Sequence, residues 1–406
     1  MNNIVIIGAS HAAVEVISTL RQKGLEEKIT LIGDEASLPY QRPPLSKAYY
    51  KNEMDEDKLL LKTQEFYTKN NVELKLNCRA TSIDRKEKTI TLDIGETINY
   101  RKLILATGTR ARHLPGVSQE ITNIHYLRTK ADVDKLKDLH KSGERLLIVG
   151  AGYIGLEIAA SAVKKGMHVT VLENMERVLA RVTSPTISGF YQKLHKDNGV
   201  DIRLQAGLEK FTKVDNATFA VLASGEEIAF DSAIVGIGVI PNIELAENAD
   251  LPCENGIIVD QYTKTEDTDI YAIGDCSNHP NTLYDRRIRL ESVPNAVDQA
   301  KVAAANICGE SAEYNSLPWF WSDQYDIKLQ TAGLLQDHDE LIVRGDIESH
   351  KFSVFYLQQG RLIAMDAINS PADFMMSKKL ILNKVHPDPV KLADSNIAIK
   401  TLLTKG

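Results

Sequence analysis

The chain has 406 residues, of which 43% are hydrophobic and 25% are charged. This length predicts two or three domains, and the balance is that of an ordinary globular protein. The formal net charge of -7 argues against general nucleic-acid binding, which needs a basic face to neutralise phosphates. No apolar run approaches the length of a membrane span, and Met1 leads directly into an apolar strand without a basic leader. We therefore expect neither a membrane segment nor a signal peptide.

The four cysteines, at positions 78, 253, 276 and 308, are far apart in the sequence. They form no Cys-x-x-Cys pair, so we expect neither a structural metal site nor a disulfide framework. Reduced cysteines in a cytoplasmic protein are the favoured interpretation.

A strand, a glycine-rich turn, a helix and a second strand that ends in an acid occur twice in the chain. In the first copy these are strand 3–7, the turn Gly8-Ala-Ser10 with Ala13 three residues on, helix 12–23, and strand 29–33 before Asp34. In the second copy they are strand 145–149, the turn Gly150-Ala-Gly152-Tyr153-Ile154-Gly155, helix 154–165, and strand 168–172 before Glu173.

This spacing is typical of dinucleotide-binding units. The first glycine allows a tight turn, the second lets the backbone approach a pyrophosphate, and the third lets helix and strand pack closely. The pyrophosphate then lies at the helix N-terminus, and the acid accepts hydrogen bonds from ribose hydroxyls. The second copy is complete, whereas the first has Ser10 and Ala13 at the second and third positions. A tight glycine turn without a ligand is the alternative for either copy alone.

Further apolar strands end in glycine where each unit should close. They are residues 103–106 before Thr107 and Gly108, residues 233–235 before Gly236, Ile237 and Gly238, and residues 268–273 before Gly274 and Asp275.

With these pieces in order, the chain resembles the FAD-dependent pyridine nucleotide reductases, and within them the ferredoxin, putidaredoxin and rubredoxin reductase group. Apoptosis-inducing factor is related to this group. The resemblance spans essentially the whole chain. Its most specific elements are the segments 38–47, Leu-Pro-Tyr-Gln-Arg-Pro-Pro-Leu-Ser-Lys, and 319–325, Trp-Phe-Trp-Ser-Asp-Gln-Tyr.

The resemblance implies that FAD occupies the first unit and NADH the second. The residues expected to contact FAD are Gly8, Ser10, Ala12, Ala13, Asp34, Arg42, Lys47, Ala80, Ala106, Thr107, Gly108, Arg128, Asp275, Val293 and Trp321. Those expected to contact NADH are Gly150, Gly152, Tyr153, Ile154, Gly155, Glu173, Gly236, Ile237 and Gly238.

Three features carry the expected chemistry. The family pattern brings Lys47 to Glu157 beside the hydride-accepting flavin atom, since a buried lysine needs a partner. It also brings Trp321 to the flavin, and a helix beginning at Pro294 toward the flavin pyrimidine edge. The alternatives are an exposed lysine and glutamate, a tryptophan in the core and an ordinary surface helix.

Related flavoenzymes that reduce disulfides carry cysteines near the position of segment 42–47, which has none here. Cys78 is predicted to lie in a core strand, residues 72–78. Electrons should therefore leave directly from the flavin. Residues 311–406 should form a small α/β domain that contains an antiparallel sheet, a hairpin turn at Gln359-Gly360 and a helix over 371–383.

The sequence thus predicts an α/β protein with two Rossmann-like domains and a small α/β C-terminal domain. The FAD domain is residues 1–112 and 244–310, the NADH domain 113–243 and the C-terminal domain 311–406. By resemblance, electrons pass from NADH through FAD to a [2Fe–2S] ferredoxin or a rubredoxin, and on to a cytochrome P450 or a ring-hydroxylating dioxygenase.

Two alternatives stay open. One is the NADH-dependent reduction of a small molecule such as a quinone, oxygen or monodehydroascorbate. The other is a redox-sensing interaction protein similar to apoptosis-inducing factor. The sequence identifies neither the acceptor nor the oligomeric state.

Overall fold

The computed structural model describes residues 3–403, so Met1 and Asn2, on which the signal-peptide prediction partly depends, lie outside the described residues. The chain divides into two compact units. The first comprises Met1–Gln41, Glu56–Arg110 and Ile240–Pro318, and the second comprises Arg42–Asp55, Ala111–Val239 and Trp319–Gly406. The division into three functional domains stays a prediction.

The centre of the first unit is a five-stranded parallel sheet. Its strands lie in the order Ile270–Ala272, Lys102–Leu105, Asn3–Ile7, Lys28–Gly33 and Val72–Leu76. Side chains of the strand Asn3–Ile7 alternate between two apolar clusters, with Ile4 and Ile6 in one and Val5 and Ile7 in the other. Both faces are therefore covered, which explains why the strand reads as a continuous apolar run.

The remaining elements of the first unit cover this sheet or extend from it. The helices are His11–Gln22, Glu56–Leu59, Gln64–Lys69, Glu244–Glu247 and Val293–Ile307, with a 3-10 turn at Gly274–Cys276. Two further three-stranded sheets consist of Ala80–Asp84, Thr89–Leu92 and Thr97–Asn99, and of Ile257–Ile258, Ser277–Asn281 and Arg286–Ile288.

The second unit contains another five-stranded parallel sheet and a three-stranded antiparallel one. The parallel strands lie in the order Asp201–Arg203, His168–Leu172, Arg145–Val149, Ser232–Val235 and Ile124–Tyr126. The antiparallel strands are Leu208–Val214, Ala217–Leu222 and Glu227–Phe230. The repeat read from the sequence thus corresponds to two Rossmann-like sheets.

A five-stranded antiparallel sheet near the C-terminus completes the second unit. Its strands lie in the order Trp319–Gln324, Ile327–Gly333, Arg361–Ile368, Lys351–Gln358 and Glu340–Asp346. The predicted hairpin turn is present: Gln359 and Gly360 both have positive φ, 51° and 74°, which matches the twist of the flanking strands. The predicted fold class, two Rossmann-like sheets with a small C-terminal sheet, is confirmed.

The helices of the second unit are Lys130–Leu139, Tyr153–Lys164, Pro185–Asp197, Pro371–Leu382 and Pro389–Ala393, with 3-10 turns at Pro43–Ser46 and Ile399–Leu403. The short strands Thr109–Ala111 and Val239–Pro241 carry the chain between the units. Among residues 3–403, no helix is long and apolar enough to cross a membrane.

Two sequence-based boundaries need correction. The predicted strand 72–78 ends at Leu76, and Cys78 lies beyond it as a partly buried residue. Asn77 has a positive φ of 53°, which strand geometry does not allow. The helix expected to start at Pro294 starts at Val293, where Ser292 provides the cap by accepting the backbone N–H of Asn295 at 3.2 Å.

Candidate functional site

The first glycine-rich turn is fixed by contact between two backbone segments. Gly8 has a φ of 106°, and a Cβ at this position would lie 2.1 Å from the carbonyl oxygen of Ala106. Only glycine fits there. Ser10 precedes the helix, and its side chain does not cap the helix N-terminus. The pyrophosphate is expected at this helix start, where no Ser10 cap competes for the backbone N–H groups, beside buried Ala12 and Ala13.

The acid of the first copy lies at the protein surface. The Asp34 side chain is exposed and forms an ion pair with Arg79 at 3.3 Å. Ala80, one residue further, is buried at the start of its strand. A carboxylate held by one exposed arginine can turn toward a ribose hydroxyl at small energetic cost, because exposed pairs contribute little.

Hydrogen bonds to Asn242 hold the loop Ala106-Thr107-Gly108 in place. The Thr107 hydroxyl donates to the Asn242 carbonyl at 2.6 Å, and the Asn242 side-chain amide donates to the Thr107 carbonyl at 2.8 Å. The Asn242 N–H also donates to the Gly108 carbonyl at 3.0 Å. The role of Asn242 in holding this loop comes from the structure.

Gln299 supports the loop that presents Asp275. Its side-chain carbonyl accepts the N–H of Gly274 at 2.6 Å and the hydroxyl of Ser277 at 2.9 Å. Asp275 itself accepts the hydroxyl of Thr109 at 3.4 Å. Gln299 is fully buried on the helix that begins at Val293. The sequence carried no signal for this support, since a glutamine inside a helix is usually exposed.

The second glycine-rich turn repeats the geometry of the first with more open space. Gly150 has a φ of 108°, and a Cβ there would lie 2.4 Å from the carbonyl oxygen of Gly236. A Cβ on Gly155 would lie 2.2 Å from the Gly150 carbonyl, so this glycine serves helix–strand packing. A Cβ on Gly152 would meet nothing within 4 Å. This open face beside the helix start at Tyr153 fits a pyrophosphate.

The acid of the second copy is held by the backbone. Glu173 accepts the N–H of Ala151 at 2.8 Å through one carboxylate oxygen and that of Met175 at 2.9 Å through the other. Arg177, which is close in sequence, donates to the carbonyls of Thr183 and Ala180 and to the Ser188 hydroxyl. Because these three hydrogen bonds engage the Arg177 guanidinium, we do not expect it to bind a phosphate.

Lys47 and Glu157 form the predicted pair, with 2.7 Å between Nζ and Oε2. Only 3% of Glu157 is exposed, so the carboxylate needs several donors. The Ser46 hydroxyl donates to Oε2 at 2.5 Å and the Ser322 hydroxyl to Oε1 at 2.6 Å. Both serines were missed by sequence reasoning, although each lies inside a segment that carries the family resemblance.

Four further predicted residues of the second unit have defined contacts. Arg42 donates to the Arg128 carbonyl at 2.8 Å, so these two FAD candidates are in contact. Tyr153 packs on Phe320 with 4.4 Å between ring centroids. Trp321 is half-buried beside Trp319, with centroids 5.8 Å apart.

The predicted residues are divided between the two units. In the first unit the group is Gly8, Ser10, Ala12, Ala13, Asp34, Ala80, Ala106, Thr107, Gly108, Asp275 and Val293. In the second it is Arg42, Lys47, Arg128, Gly150, Gly152, Tyr153, Ile154, Gly155, Glu157, Glu173, Gly236, Ile237, Gly238 and Trp321. Their individual roles stay predictions.

Three of the four cysteines, Cys253, Cys276 and Cys308, lack the features of reactive thiols. All four are free, and Cys276 is fully buried. Burial raises the pKa of Cys253 to about 11 and also raises the pKa of Cys276 and of Cys308. A thiol with a raised pKa is a poor nucleophile because the thiolate is the reactive form. Residues 3–403 contain no cluster of three or more His, Cys, Asp or Glu side chains able to hold a metal ion.

Comparison with known proteins agrees with this geometry. Residues 2–300 match the family model described as pyridine nucleotide-disulphide oxidoreductase, and residues 319–403 match the one described as reductase C-terminal. The putidaredoxin reductase of Pseudomonas putida is 41% identical, with 99% of this chain and 97% of that protein covered. A rubredoxin-NAD(+) reductase of Pseudomonas putida is 42% identical over 91% of this chain and 96% of its own.

The solved structures include a covalent putidaredoxin reductase–putidaredoxin complex. Its matching chain superposes with a TM-score of 0.96 at 41% identity, with 99% of this chain and 98% of that chain covered. FAD and NAD(H) are the cofactors of the family. Each glycine-rich turn leads into the start of a helix, where a pyrophosphate can bind, and the second turn has open space at Gly152. The predicted resemblance is confirmed: the chain belongs to the pyridine nucleotide-disulphide oxidoreductase family, in the group of ferredoxin, putidaredoxin and rubredoxin reductases.

Proposed function

We propose that this protein is an NADH-dependent reductase that passes electrons through FAD to a small iron–sulfur protein, a [2Fe–2S] ferredoxin or a rubredoxin. The observation that carries the proposal is the buried Lys47–Glu157 pair, which lies one turn beyond the NADH-type glycine turn. The relatives whose names state an acceptor include reductases of putidaredoxin and of rubredoxin. The downstream user is a cytochrome P450 or a ring-hydroxylating dioxygenase, and the protein acts in the cytoplasm.

The residues divide the work between binding and electrostatics. When bound, FAD supplies the redox chemistry: it can accept two electrons as a hydride and give them up one at a time. Gly8, Asp34 and Asp275 belong to the proposed FAD contacts, whereas Gly152 and Glu173 belong to the proposed NADH contacts. Lys47 places a positive charge, balanced by Glu157, where the hydride arrives. The protein thus contributes orientation and a fixed charge rather than acid–base chemistry.

No thiol belongs to the proposed electron path. The segment Arg42–Lys47, where related disulfide reductases carry cysteines, contains none, and the pKa of three of the four thiols is raised by burial. Alkylation of the accessible cysteines should therefore leave NADH–ferricyanide activity nearly unchanged. Loss of that activity while FAD stays bound would require a disulfide or sulfenate mechanism instead.

The acceptor is tested by comparing two sets of candidates. The first is a panel of purified ferredoxins and rubredoxins, with cytochrome c reduction as the readout. The second is quinones, oxygen and monodehydroascorbate. We expect fast turnover with at least one iron–sulfur protein and slow turnover with every small molecule. Fast reduction of a small molecule alone favours the simpler flavoenzyme. Slow turnover with every acceptor, together with NADH-dependent dimerisation, favours a redox-sensing interaction protein.

Partner docking should depend on local positive charge, because the chain as a whole carries -7. The proposed docking lysines are Lys301, Lys328, Lys378, Lys379 and Lys384. Reversing the charge of Lys328 together with Lys379, both exposed, should raise the KM for the iron–sulfur partner. Raised salt should do the same, since exposed charges are screened within about 10 Å at 0.1 M. NADH–ferricyanide activity is the control: it should be far less sensitive to salt, and the charge reversal should leave it unchanged.

A further inference from the structure

Glu157 is the end of a longer row of buried hydrogen bonds within the second unit. The Ser322 hydroxyl, which donates to Glu157, accepts the side-chain N–H of Gln324 at 3.2 Å. The Gln324 carbonyl lies 2.8 Å from Nε2 of His195, and Nδ1 of His195 lies 3.0 Å from the Tyr325 hydroxyl. His195, Gln324 and Ser322 are each at most 1% exposed.

The chemistry of the groups fixes the direction of every bond in this row. Because the Gln324 amide nitrogen donates to Ser322, its oxygen is the atom that faces His195, and Nε2 of His195 must carry the proton. Nδ1 then accepts the proton of the Tyr325 hydroxyl. Burial lowers the pKa of His195 to about 4 and raises the pKa of Tyr325, so the imidazole is neutral and the phenol protonated near pH 7.

All donors in the row therefore point toward Glu157. Bonds aligned in one direction polarise one another, which strengthens the last bond to the carboxylate. An amide such as Gln324 does not pass a proton along easily, so the arrangement suits the holding of a group rather than the transport of protons. Tyr325 also has a positive φ of 57° in the turn between the strands Trp319–Gln324 and Ile327–Gly333. This conformation costs energy for a residue other than glycine.

We propose that Gln324 and His195 are positioning residues for the reductase reaction: they orient the Ser322 hydroxyl, which holds Glu157 and thereby Lys47 in place. This inference rests on the proposed function, in which the Lys47–Glu157 pair lies where the hydride arrives. It assigns a role to two residues outside the predicted cofactor contacts, His195 on the Pro185–Asp197 helix and Gln324 on the Trp319–Gln324 strand.

The test is single-turnover reduction of bound FAD by saturating NADH. Gln324→Leu and Ser322→Ala should each slow the reduction about tenfold, which corresponds to roughly 1.4 kcal/mol. Ser322→Thr, which keeps the hydroxyl, should restore the rate to within about twofold of the unmodified protein. Since both residues act through one bond, the double variant should be no slower than Ser322→Ala alone.

Ser377→Ala is the matched control, because Ser377 is a fully buried hydroxyl of the same unit with no hydrogen-bond partner in the described structure. It should leave the rate of FAD reduction unchanged. Its urea unfolding, measured beside that of the test variants, separates a general loss of stability from a specific effect on Glu157.

A second measurement does not depend on activity. The nitrogen NMR shifts of labelled histidine, assigned to His195 with the His195→Asn variant, should show the neutral form with its proton on Nε2. Gln324→Glu, which places a carboxylate against Nε2, should convert this ring to the imidazolium form. A proton on Nδ1 in the unmodified protein would overturn the row of donors.

The outcomes separate this inference from the proposed function. An unmodified protein whose FAD is not reduced by NADH contradicts the proposed function and the inference together. Normal reduction in the unmodified protein, with Gln324→Leu within about twofold of it, contradicts the inference alone. Additive effects of the Gln324 and Ser322 changes also overturn it, because they show independent roles.

Discussion

The two glycine-rich turns have similar backbone conformations, but the helices that follow them bury different kinds of side chain. In both, the first glycine has a φ near 107° and approaches the carbonyl of a neighbouring strand end, at Ala106 in one and Gly236 in the other. The helix after Gly8 is covered by apolar side chains such as Val16 and Ala300. The helix after Gly150 instead buries the carboxylate of Glu157.

This difference shows that the residues required at the turn do not determine which side chains the following helix buries. Backbone approach requires glycine at the turn in both copies, whatever the ligand. The helix behind it is apolar in the first unit, where FAD is proposed to bind, and carries a buried carboxylate in the second, where the hydride transfer is proposed. In the second unit that charge is accompanied by a second buried carboxylate, Asp366.

The largest expected effect breaks the shared part of the comparison. Gly8→Ala and Gly150→Ala should each lower the free energy of unfolding by about 3 kcal/mol or more, because the added Cβ meets a carbonyl oxygen and the φ is unfavourable. Urea unfolding with excess FAD is the measurement. Gly24→Ala is the control, since Gly24 has a φ of 80° but open space around it, and should cost only about 1 kcal/mol. Equal losses at all three positions would contradict the steric account.

The next prediction concerns the polar interior of the second unit. Burial raises the pKa of Asp366 from 3.8 to about 6, although Thr183 and Tyr356 donate hydrogen bonds to it. The folded protein therefore holds this proton more tightly than the unfolded chain. The resulting stability is fully present below about pH 4 and is lost as the pH rises through about 6.

Asp366→Asn should remove this pH dependence. Between pH 5 and pH 7.5 the unmodified protein should lose about 1–2 kcal/mol of unfolding free energy relative to the variant, as measured by urea titration. Asparagine keeps an acceptor for Thr183 and Tyr356, so the packing should survive. Parallel stability curves for the two proteins over this range would show that Asp366 titrates normally.

Coenzyme choice sharpens the comparison between the two acids. Glu173 is fixed by two backbone N–H groups, whereas Asp34 has one exposed arginine. A fixed carboxylate repels a 2′-phosphate, and Arg177 is engaged elsewhere, so we expect NADH to be preferred over NADPH by at least about tenfold in kcat/KM, or 1.4 kcal/mol. Glu173→Ala should narrow this gap. Equal use of both coenzymes by the unmodified enzyme would refute the assignment.

The smallest effect concerns the second position of each turn. A Cβ on Gly152 meets nothing within 4 Å, so Gly152→Ser, which copies Ser10 of the first unit, should leave unfolding unchanged. It should weaken NADH binding by roughly 1 kcal/mol, about fivefold, because the side chain crowds the approach to the pyrophosphate. Unchanged affinity in an NADH titration would show that the second glycine is not needed there.

Local patterns predicted the parts of the fold that depend on neighbouring residues. The glycine turns, the helices behind them and the hairpin at Gln359 and Gly360 all follow from the chain within a few positions. The end of a strand at Leu76 did not, since apolar alternation continues to Cys78 while the backbone turns at Asn77.

Supporting contacts between distant segments were not predictable. Ser46, Ser322 and Gln324 lie inside segments that the sequence singled out, yet nothing in those segments says that Ser46 and Ser322 bond to Glu157 or that Gln324 bonds to Ser322. His195 and Gln299 lie in ordinary amphipathic helices, where a buried polar side chain has no local signal. Each became visible only when the fold brought its partner within hydrogen-bond distance.

The partners of Glu157 have a consequence for engineering. Lys47 and Ser46 come from the short stretch Arg42–Asp55, Ser322 comes from the C-terminal stretch, and Glu157 lies between them in sequence. A chimera that exchanges only the segment around the second glycine turn would transplant a buried carboxylate without the groups that neutralise it. Substitutions confined to the proposed coenzyme contact Glu173 and its loop avoid this cost, whereas an exchange of the whole segment avoids it only when all three stretches move together.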